Sequence, residues 1–266
     1  EQDVRAAANG PGVAAPRKGA AGVRRVPLRG VRRAIAEHLL EAHRSTAPYT
    51  YVEETDFSEL VRFRRRVQPL AERAGVKLTY LPFLLAAVSM ALQEHPTLNA
   101  TADPETGDLL VSDAHHLGIA VHTADGLVVP VVRDVQTKDL LDLGREIETL
   151  SEGARSGRLP REGMSGGTFT VTSLGALGGL MATPMLNTPQ VAILGVHKIA
   201  PRAVVRDGAV LPRETANLSL TLDHRYIDGQ EGASFIQTLI RYLEDPAVML
   251  FSLAELRDQL GKERIG

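Results

Sequence analysis

Hydrophobic and polar positions follow two different periods along this chain, and the periods predict where strands and helices lie. In residues 217–222 every second residue is leucine, which predicts a strand that ends just before His224. Between Val31 and Ala42 the apolar residues recur every three or four positions, which predicts a helix. The same patterns predict strands at 49–56, 109–111, 117–122, 127–132, 168–174, 191–196 and 202–205, and helices at 58–71, 81–92, 140–154 and 229–243.

The order of these elements predicts the fold class. Strands and helices are mixed along the chain, and Asp125-Gly126 is a turn dipeptide that predicts a hairpin between two strands. This arrangement favours an α/β fold with a mixed sheet covered by helices. Ser58 is a candidate cap for the helix that follows it. Residues 1–23 are rich in Ala, Gly, Pro and Arg without a hydrophobic period, so we predict a linker there and one folded domain over 24–266.

Composition and charge narrow the class of protein further. Of 266 residues, 44% are hydrophobic and 23% are charged, as in a globular domain. The formal net charge of -2 gives no reason to expect nucleic acid or an anionic membrane as a partner, and no apolar run reaches about 18 residues. Because cysteine is absent, disulfides and a cysteinyl acyl-enzyme are excluded, and a reducing compartment suits the chain.

The clearest candidate chemistry lies where the leucine-rich strand ends. His224 is followed four residues later by Asp228, and Gly229 then permits a tight turn into the next helix. A histidine at a strand end with a nearby carboxylate is a candidate general base with an orienting group. The alternative is a structural histidine with a helix-capping aspartate, and the pattern alone does not decide between the two.

Three other sequence features carry weaker signals. Residues 163–167 match GxSxG, but a polar segment precedes them and a strand follows, which inverts the order that a serine-hydrolase elbow requires. Residues 175–179 are glycine-rich without GxGxxG spacing, which favours a loop. His115, His116 and His122 have no metal-binding context, so we expect no metal site.

The stretch around His224 resembles a signature of a known family, and this resemblance favours a catalytic role for the histidine. Residues 223–229, DHRYIDG, resemble the DHRxxDG signature of dihydrolipoamide acyltransferases, the catalytic core components of 2-oxo acid dehydrogenase complexes. Residues 1–8 resemble the last helix of that family's peripheral-subunit-binding domain. The resemblance implies a two-layer, chloramphenicol acetyltransferase-like fold and a catalytic fragment of a longer protein. Further matching segments occur in the family's order at 26–33, 125–131, 166–175 and 189–195.

The resemblance also implies roles for individual residues in acyl transfer between the thiols of dihydrolipoamide and coenzyme A. His224 would be the base that deprotonates a thiol, which is only partly ionised at neutral pH. Thr172, where serine is common in the family, would donate to the oxyanion; its alternative is an ordinary strand threonine. Asp228 would hold the local backbone and an arginine network. Coenzyme A contacts would come from Arg64, Thr79 and Ser173; the alternative for Arg64 is a solvated helix face.

The assembly implied by the family is a homotrimer with the active site between subunits. Trimers would form a cubic or dodecahedral core that binds the 2-oxo acid decarboxylase and dihydrolipoamide dehydrogenase components. The lipoyl group would come from a lipoyl domain outside this fragment, in the cytoplasm of a bacterium or the mitochondrial matrix of a eukaryote. Pyruvate-type or branched-chain acyl groups are favoured. The alternatives are a non-catalytic core scaffold and a stand-alone small-molecule acetyltransferase.

Overall fold

The computed structural model describes residue 24 and residues 26–250, so the predicted linker at 1–23 lies outside the described residues. The helices are α1 (Gly30–Ser45), α2 (Ser58–Arg73), α3 (Leu81–Glu94), α4 (Leu140–Arg155) and α5 (Gly229–Glu244). The strands are β1 (Pro48–Asp56), β2 (Ala100–Ala102), β3 (Leu109–Val111), β4 (Leu117–Ile119), β5 (Val121–Thr123), β6 (Gly126–Val128), β7 (Val131–Val132), β8 (Phe169–Ser173), β9 (Ala192–Val196), β10 (Ala200–Arg206) and β11 (Ala209–Asp223).

The central sheet is mixed, as the element order predicts. Its strands run in the order β1-β11-β9-β8-β4-β7, and β10 pairs with the first half of β11. Strand β8 is parallel to both β9 and β4, whereas the other pairs in this sheet are antiparallel. The long β11 therefore lies between β1 and β9, and His224 directly follows its last residue, Asp223, at one end of the strands.

The two faces of the sheet differ in polarity because side chains alternate along each strand. On one face Leu218, Leu220 and Leu222 are fully buried and join the hydrophobic core with residues of α2, α3, α4 and α5. On the other face lie hydroxyl-bearing and small residues, among them Thr170 and Thr172 of β8. Helices α2, α3, α4 and α5 therefore cover the leucine face, and the polar face is left for α1 and other elements.

The predicted hairpin is confirmed, but its turn residues are Ala124 and Asp125 rather than Asp125-Gly126, and each of its arms is interrupted. Strands β5 and β6 flank the turn and form their own two-stranded sheet, whereas β4 and β7 continue into the central sheet. Pro130 lies at the interruption, where it has no N–H for a ladder, while its carbonyl accepts a hydrogen bond from Ile119 N at 2.8 Å. The hairpin thus bends away from the central sheet toward α1, which it contacts.

Two local expectations change in the structure. Helix α1 forms where the period predicts it, but Ala42 is its only buried residue, so its apolar face is not part of the core. Ser58 is not the cap of α2: it is the first helical residue, its N–H binds the Asp56 carboxylate at 2.9 Å, and its hydroxyl accepts from Glu214 N. The prediction of a Ser58 cap is therefore wrong, because the Ser58 hydroxyl accepts its hydrogen bond from Glu214, a residue distant in sequence.

Because His115 is buried, we expect the free energy of unfolding to fall in mild acid. Its side chain is 4% exposed and shares a 2.7 Å hydrogen bond with Ser89, and burial, followed by the nearby His116, lowers its pKa to about 4. The unfolded chain, in which a histidine titrates near 6.5, therefore binds this proton first. The free energy of unfolding should fall by about 3 kcal/mol as the pH drops between these two values.

Urea unfolding across this pH range measures the effect of His115. The His115→Gln variant keeps an acceptor for the Ser89 hydroxyl but cannot take up a proton. Its stability should depend on pH less steeply than that of the wild type, by about one proton at most. The comparison isolates His115 because burial also lowers the pKa of His95 and His197 in both proteins. Equal slopes would show that His115 does not titrate as proposed.

Candidate functional site

His224 lies at the end of β11, where main-chain bonds hold the turn in place. Its N–H donates to the carbonyl of Ala47 at 2.9 Å, and the Ala47 N–H donates to the Asp223 carboxylate at 3.2 Å. The imidazole is exposed, and its ring centre lies 4.5 Å from that of Tyr49. The backbone is therefore fixed by β1 and its entry segment, while the imidazole remains accessible.

Asp223 and Arg225, which flank His224 in the sequence, form an ion pair. Asp223 is buried and Arg225 is exposed. The Asp223 side chain is 1% exposed, and its oxygens accept from Arg225 Nε at 3.0 Å and Nη2 at 2.6 Å. Burial alone would raise the pKa of the Asp223 carboxyl, but the bonds from Arg225 and Ala47 outweigh it and hold this pKa below its ordinary value. The pair makes the turn rigid on both sides of the candidate base.

Asp228 has a different contact from the one expected. Its carboxylate accepts the N–H of Glu231 at 2.8 Å, which makes it the N-cap of α5. Within the described residues Arg225 pairs with Asp223, so an arginine partner for Asp228 stays a prediction. Asp228 does hold the local backbone, so the capping interpretation of this aspartate is correct, and it is compatible with a catalytic His224.

Tyr49 is a site residue that sequence reasoning missed. Its ring packs against His224, and its hydroxyl donates to the main-chain carbonyl of Asp228 at 2.8 Å. One side chain therefore contacts both the candidate base and the residue that caps the following helix. The alternation of β1 marks Tyr49 only as a strand residue, and its partners become visible when β1 pairs with β11.

Thr172 lies at a cavity of about 480 Å³ on the polar face of the sheet. It is half-buried in β8 and lies beside Gly195 of β9 in the parallel register. A Cβ at Gly195 would lie 3.4 Å from His197 Nε2 and 3.5 Å from Pro184 Cγ, so the glycine keeps this space open. The cavity is covered by α1 and by residues 182–187.

His224 and Thr172 of one chain lie on different parts of the sheet. Through Gly195, Thr172 is level with Ser219 on β11. From Ser219 to His224 the strand advances five residues, or about 16 Å, and two inter-strand spacings of about 4.8 Å separate β8 from β11. One chain therefore cannot present both side chains to a single thioester.

The three candidate coenzyme A contacts fall into two places. Arg64 donates through Nε to the carbonyl of Leu78 at 2.8 Å, and its guanidinium lies 4.9 Å above the ring of Tyr80. These contacts bring it next to Thr79, which is exposed and whose hydroxyl accepts from Leu81 N at 3.4 Å.

Ser173 lies apart from these two residues, next to Thr172. It is exposed at the end of β8, and its hydroxyl accepts from Gly175 N at 3.2 Å. It therefore lies at the end of the strand that carries the candidate oxyanion donor, and Arg64 and Thr79 lie together where α2 and α3 are connected.

Other chemistry receives no support from the described residues. Ser165 of the GxSxG match follows a 3-10 turn at Arg161–Met164 rather than a strand, and its hydroxyl donates to the carbonyl of Glu162. Within the described part of the chain, no group of three or more His, Asp or Glu side chains is arranged to hold a metal ion. No helix between residues 26 and 250 is long and apolar enough to cross a membrane.

Comparison with known sequences shows which family this chain resembles over most of its length. Residues 20–251 match the family model described as 2-oxoacid dehydrogenases acyltransferase (catalytic domain). The lipoamide acyltransferase component of the branched-chain α-keto acid dehydrogenase complex of Pseudomonas putida is 43% identical over 224 residues, 84% of this chain and 53% of that protein. The succinyltransferase component of the 2-oxoglutarate dehydrogenase complex of Bartonella vinsonii is 42% identical over 230 residues, 86% of this chain and 56% of that protein. The chain thus spans about half the length of these relatives.

Solved structures agree with the sequence comparison. The dihydrolipoamide acetyltransferase of Azotobacter vinelandii and the cubic core of a pyruvate dehydrogenase complex each match with a TM-score of 0.83 and 40% identity, over 86% of this chain and 94% of theirs. The Azotobacter work concerned the catalytic roles of a serine, a histidine 52 residues later and an asparagine four residues after that. A chloramphenicol acetyltransferase matches with a TM-score of 0.50 and 17% identity over 78% of this chain and 94% of that one, which confirms the predicted fold.

Proposed function

Because the chain belongs to the 2-oxoacid dehydrogenase acyltransferase family, we propose that it transfers an acyl group between dihydrolipoamide and coenzyme A. One observation carries the assignment to particular residues. Thr172, His224 and Asp228 have the same spacing, 52 and then four residues, as the serine, histidine and asparagine studied in the Azotobacter acetyltransferase. Thr172 retains a hydroxyl at the first position, and Asp228 carries a side-chain oxygen at the third.

The proposed reaction begins with His224 taking the proton from the thiol of coenzyme A. The resulting thiolate attacks the carbonyl carbon of the acyl-dihydrolipoamide thioester and forms a tetrahedral oxyanion. The intermediate collapses by breaking the bond to the dihydrolipoamide sulfur, which receives the proton back from His224. The bond from His224 N–H to the carbonyl of Ala47 fixes the backbone, and the packing of Tyr49 against the ring would orient the imidazole for both proton transfers.

Thr172 would stabilise the oxyanion in this scheme. Its hydroxyl lies at the cavity wall, close to the end of β8, and the neighbouring Gly195 leaves space for a substrate beside it. A hydroxyl aimed at the developing negative charge stabilises the transition state more than the uncharged thioester. Arg64, Thr79 and Ser173 would contact coenzyme A, with the guanidinium of Arg64 available for a phosphate.

The separation of His224 from Thr172 supports an active site shared between subunits. We infer a trimer in which His224 of one subunit meets Thr172 of its neighbour, and trimers that assemble into a larger core. The lipoyl group would arrive on a lipoyl domain outside this chain, and the decarboxylase and dihydrolipoamide dehydrogenase components would bind the assembled core. The alternative, a stand-alone small-molecule acetyltransferase, would not use a lipoyl domain as its acyl carrier.

An acyl-transfer assay tests the proposed activity directly. Purified protein is mixed with free dihydrolipoamide and with acetyl-, isobutyryl- or succinyl-coenzyme A, and the S-acyl-dihydrolipoamide and free coenzyme A that form are measured by chromatography. Turnover with at least one donor is the expected result. A correctly folded protein that uses none of the three would favour the non-catalytic scaffold instead.

Mixing two inactive variants tests whether the site is shared. In a mixed trimer of His224→Ala and Thr172→Val chains, one interface pairs an intact histidine with an intact threonine. With equal amounts and random assembly, about a quarter of all sites should be intact, so activity should return to roughly that fraction of the wild-type value.

The controls for the mixing experiment use the same variants. Each variant refolded alone should stay inactive, which shows that recovery requires both chains. Mixed trimers that regain no activity would contradict the shared site, and so would a fully active monomer in light scattering.

A further inference from the structure

Among the residues that the structure describes, the cavity beside Thr172 is lined without any formally charged side chain. No lysine, arginine, aspartate or glutamate of residues 26–250 lines it, and most of its wall is aliphatic. Its apolar side chains come from α1, from the β5–β6 hairpin and from the loop that precedes β9. They include Ile35, Leu39, Leu127, Met185 and Leu186.

The polar groups on the cavity wall nearest α1 bind one another. His38 Nε2 lies 3.1 Å from Asn187 Oδ1, and Asn187 Nδ2 donates to Thr170 Oγ1 at 3.5 Å. The Thr170 hydroxyl in turn donates to Gln190 Oε1 at 2.6 Å. These internal hydrogen bonds already engage the side chains that could otherwise bind a charged ligand.

His197 is the second titratable residue on the wall, and it too has internal partners. Its Nε2 accepts from Ala182 N at 3.3 Å and lies 2.8 Å from the Ser219 hydroxyl. Because Nε2 accepts a main-chain N–H, the ring is in its neutral form. Burial also lowers the pKa of His197 below its ordinary value, which favours the same neutral form. His197 therefore does not supply a positive charge to the cavity.

We propose that this cavity receives a short, branched aliphatic acyl group and discriminates against acyl groups that end in a carboxylate. The inference rests on the proposed function, which puts the thioester carbonyl next to Thr172. A succinyl group would lose the hydration of its carboxylate without finding a lysine or arginine partner among the residues of this chain that line the cavity, which is unfavourable in an apolar site. A methyl-branched chain carries no charge and buries additional apolar surface.

Sequence identity alone does not select the acyl group. The branched-chain relative from Pseudomonas and the succinyltransferase relative from Bartonella are 43% and 42% identical to this chain. The difference between the two substrate classes is a terminal negative charge, so the charge of the cavity wall is the property that separates them. In the described part of this chain that wall is mostly aliphatic and carries no lysine or arginine.

The test compares kcat/KM for the three donors with free dihydrolipoamide. Isobutyryl-coenzyme A should exceed acetyl-coenzyme A by roughly 10-fold or more, since a buried methylene changes specificity by about 10- to 200-fold. Succinyl-coenzyme A should fall roughly 100-fold below isobutyryl-coenzyme A, because its charge is desolvated without a partner. A succinyl rate equal to or above the isobutyryl rate, or a preference for acetyl over isobutyryl, would overturn the inference while leaving the proposed function intact. No transfer from any donor would refute the proposed function.

A charge added to the wall gives an independent test. Met185 lines the cavity and is 45% exposed, so the fold should tolerate Met185→Arg and the matched neutral variant Met185→Gln. Met185→Arg should raise the ratio of succinyl to isobutyryl kcat/KM by roughly 10-fold, because it offers the carboxylate a cation. Met185→Gln should leave the ratio nearly unchanged. An equal ratio in both variants would show that the acyl chain does not enter this cavity.

Discussion

Replacing His224 with alanine should lower kcat by roughly 10²–10⁴-fold, the usual contribution of a general base. The physical reason is the low thiolate fraction of a free thiol at neutral pH, which a positioned imidazole compensates. The fold should survive the change, since the side chain is exposed and the turn is held by the main chain and by the Asp223–Arg225 pair. Steady-state kinetics together with circular dichroism measures both parts of the prediction.

His43→Ala is the matched control for this experiment. His43 is also an exposed histidine, but it lies in the last turn of α1 and has no role in the proposed reaction. Its replacement should leave kcat close to the wild-type value. Near-normal turnover in a folded His224→Ala protein would rule out His224 as the base, and an equal loss in His43→Ala would indicate a structural effect.

The second large effect is expected at Thr172. Thr172→Val keeps the β-branched shape in β8 but removes the hydroxyl, so the cost should fall on the transition state alone. Loss of one oxyanion donor costs about 2.7–4 kcal/mol, or roughly 10²–10³-fold in kcat. Because the thioester oxygen carries little charge before attack, KM should change much less than kcat.

Thr172→Ser separates the hydroxyl from the shape of the side chain. Serine preserves the donor and loses only a methyl group from a half-buried position. The serine variant should therefore retain most of the activity that the valine variant loses. If the valine and wild-type proteins had equal kcat, Thr172 would be an ordinary strand threonine and the oxyanion donor would lie elsewhere.

Much of the local structure could be predicted from the sequence. The leucine alternation in 217–222 located the end of β11 to within one residue of His224, and the helical period located α1, α3 and α5 with small errors at their ends. These predictions succeed because a period reports which side of an element is apolar, and that depends on residues close in sequence. The DHRxxDG resemblance then identified the family from a few ordered segments.

The partners of the site residues could not be predicted in the same way. Asp223 and Asp228 are both carboxylates near His224 in sequence, and only the structure shows that Asp223 binds Arg225 while Asp228 caps α5. Tyr49 contacts His224 because β1 pairs with β11 across more than 170 residues. Strand pairing depends on contacts between distant segments, and these leave no periodic signal in either strand.

The sequence by itself therefore determined most of the elements, the family and the candidate residues His224 and Thr172, although β2 and the first half of β11 were not predicted. Only the tertiary structure decided that these two lie on different parts of the sheet in one chain, and that Thr172 borders an apolar cavity. The reason is that the distance between them depends on strand order and register, which are set by packing over the whole sheet. The cavity likewise forms where α1, the β5–β6 hairpin and residues 182–187 meet. The sequence pattern within each of these three segments does not predict that they are neighbours in space.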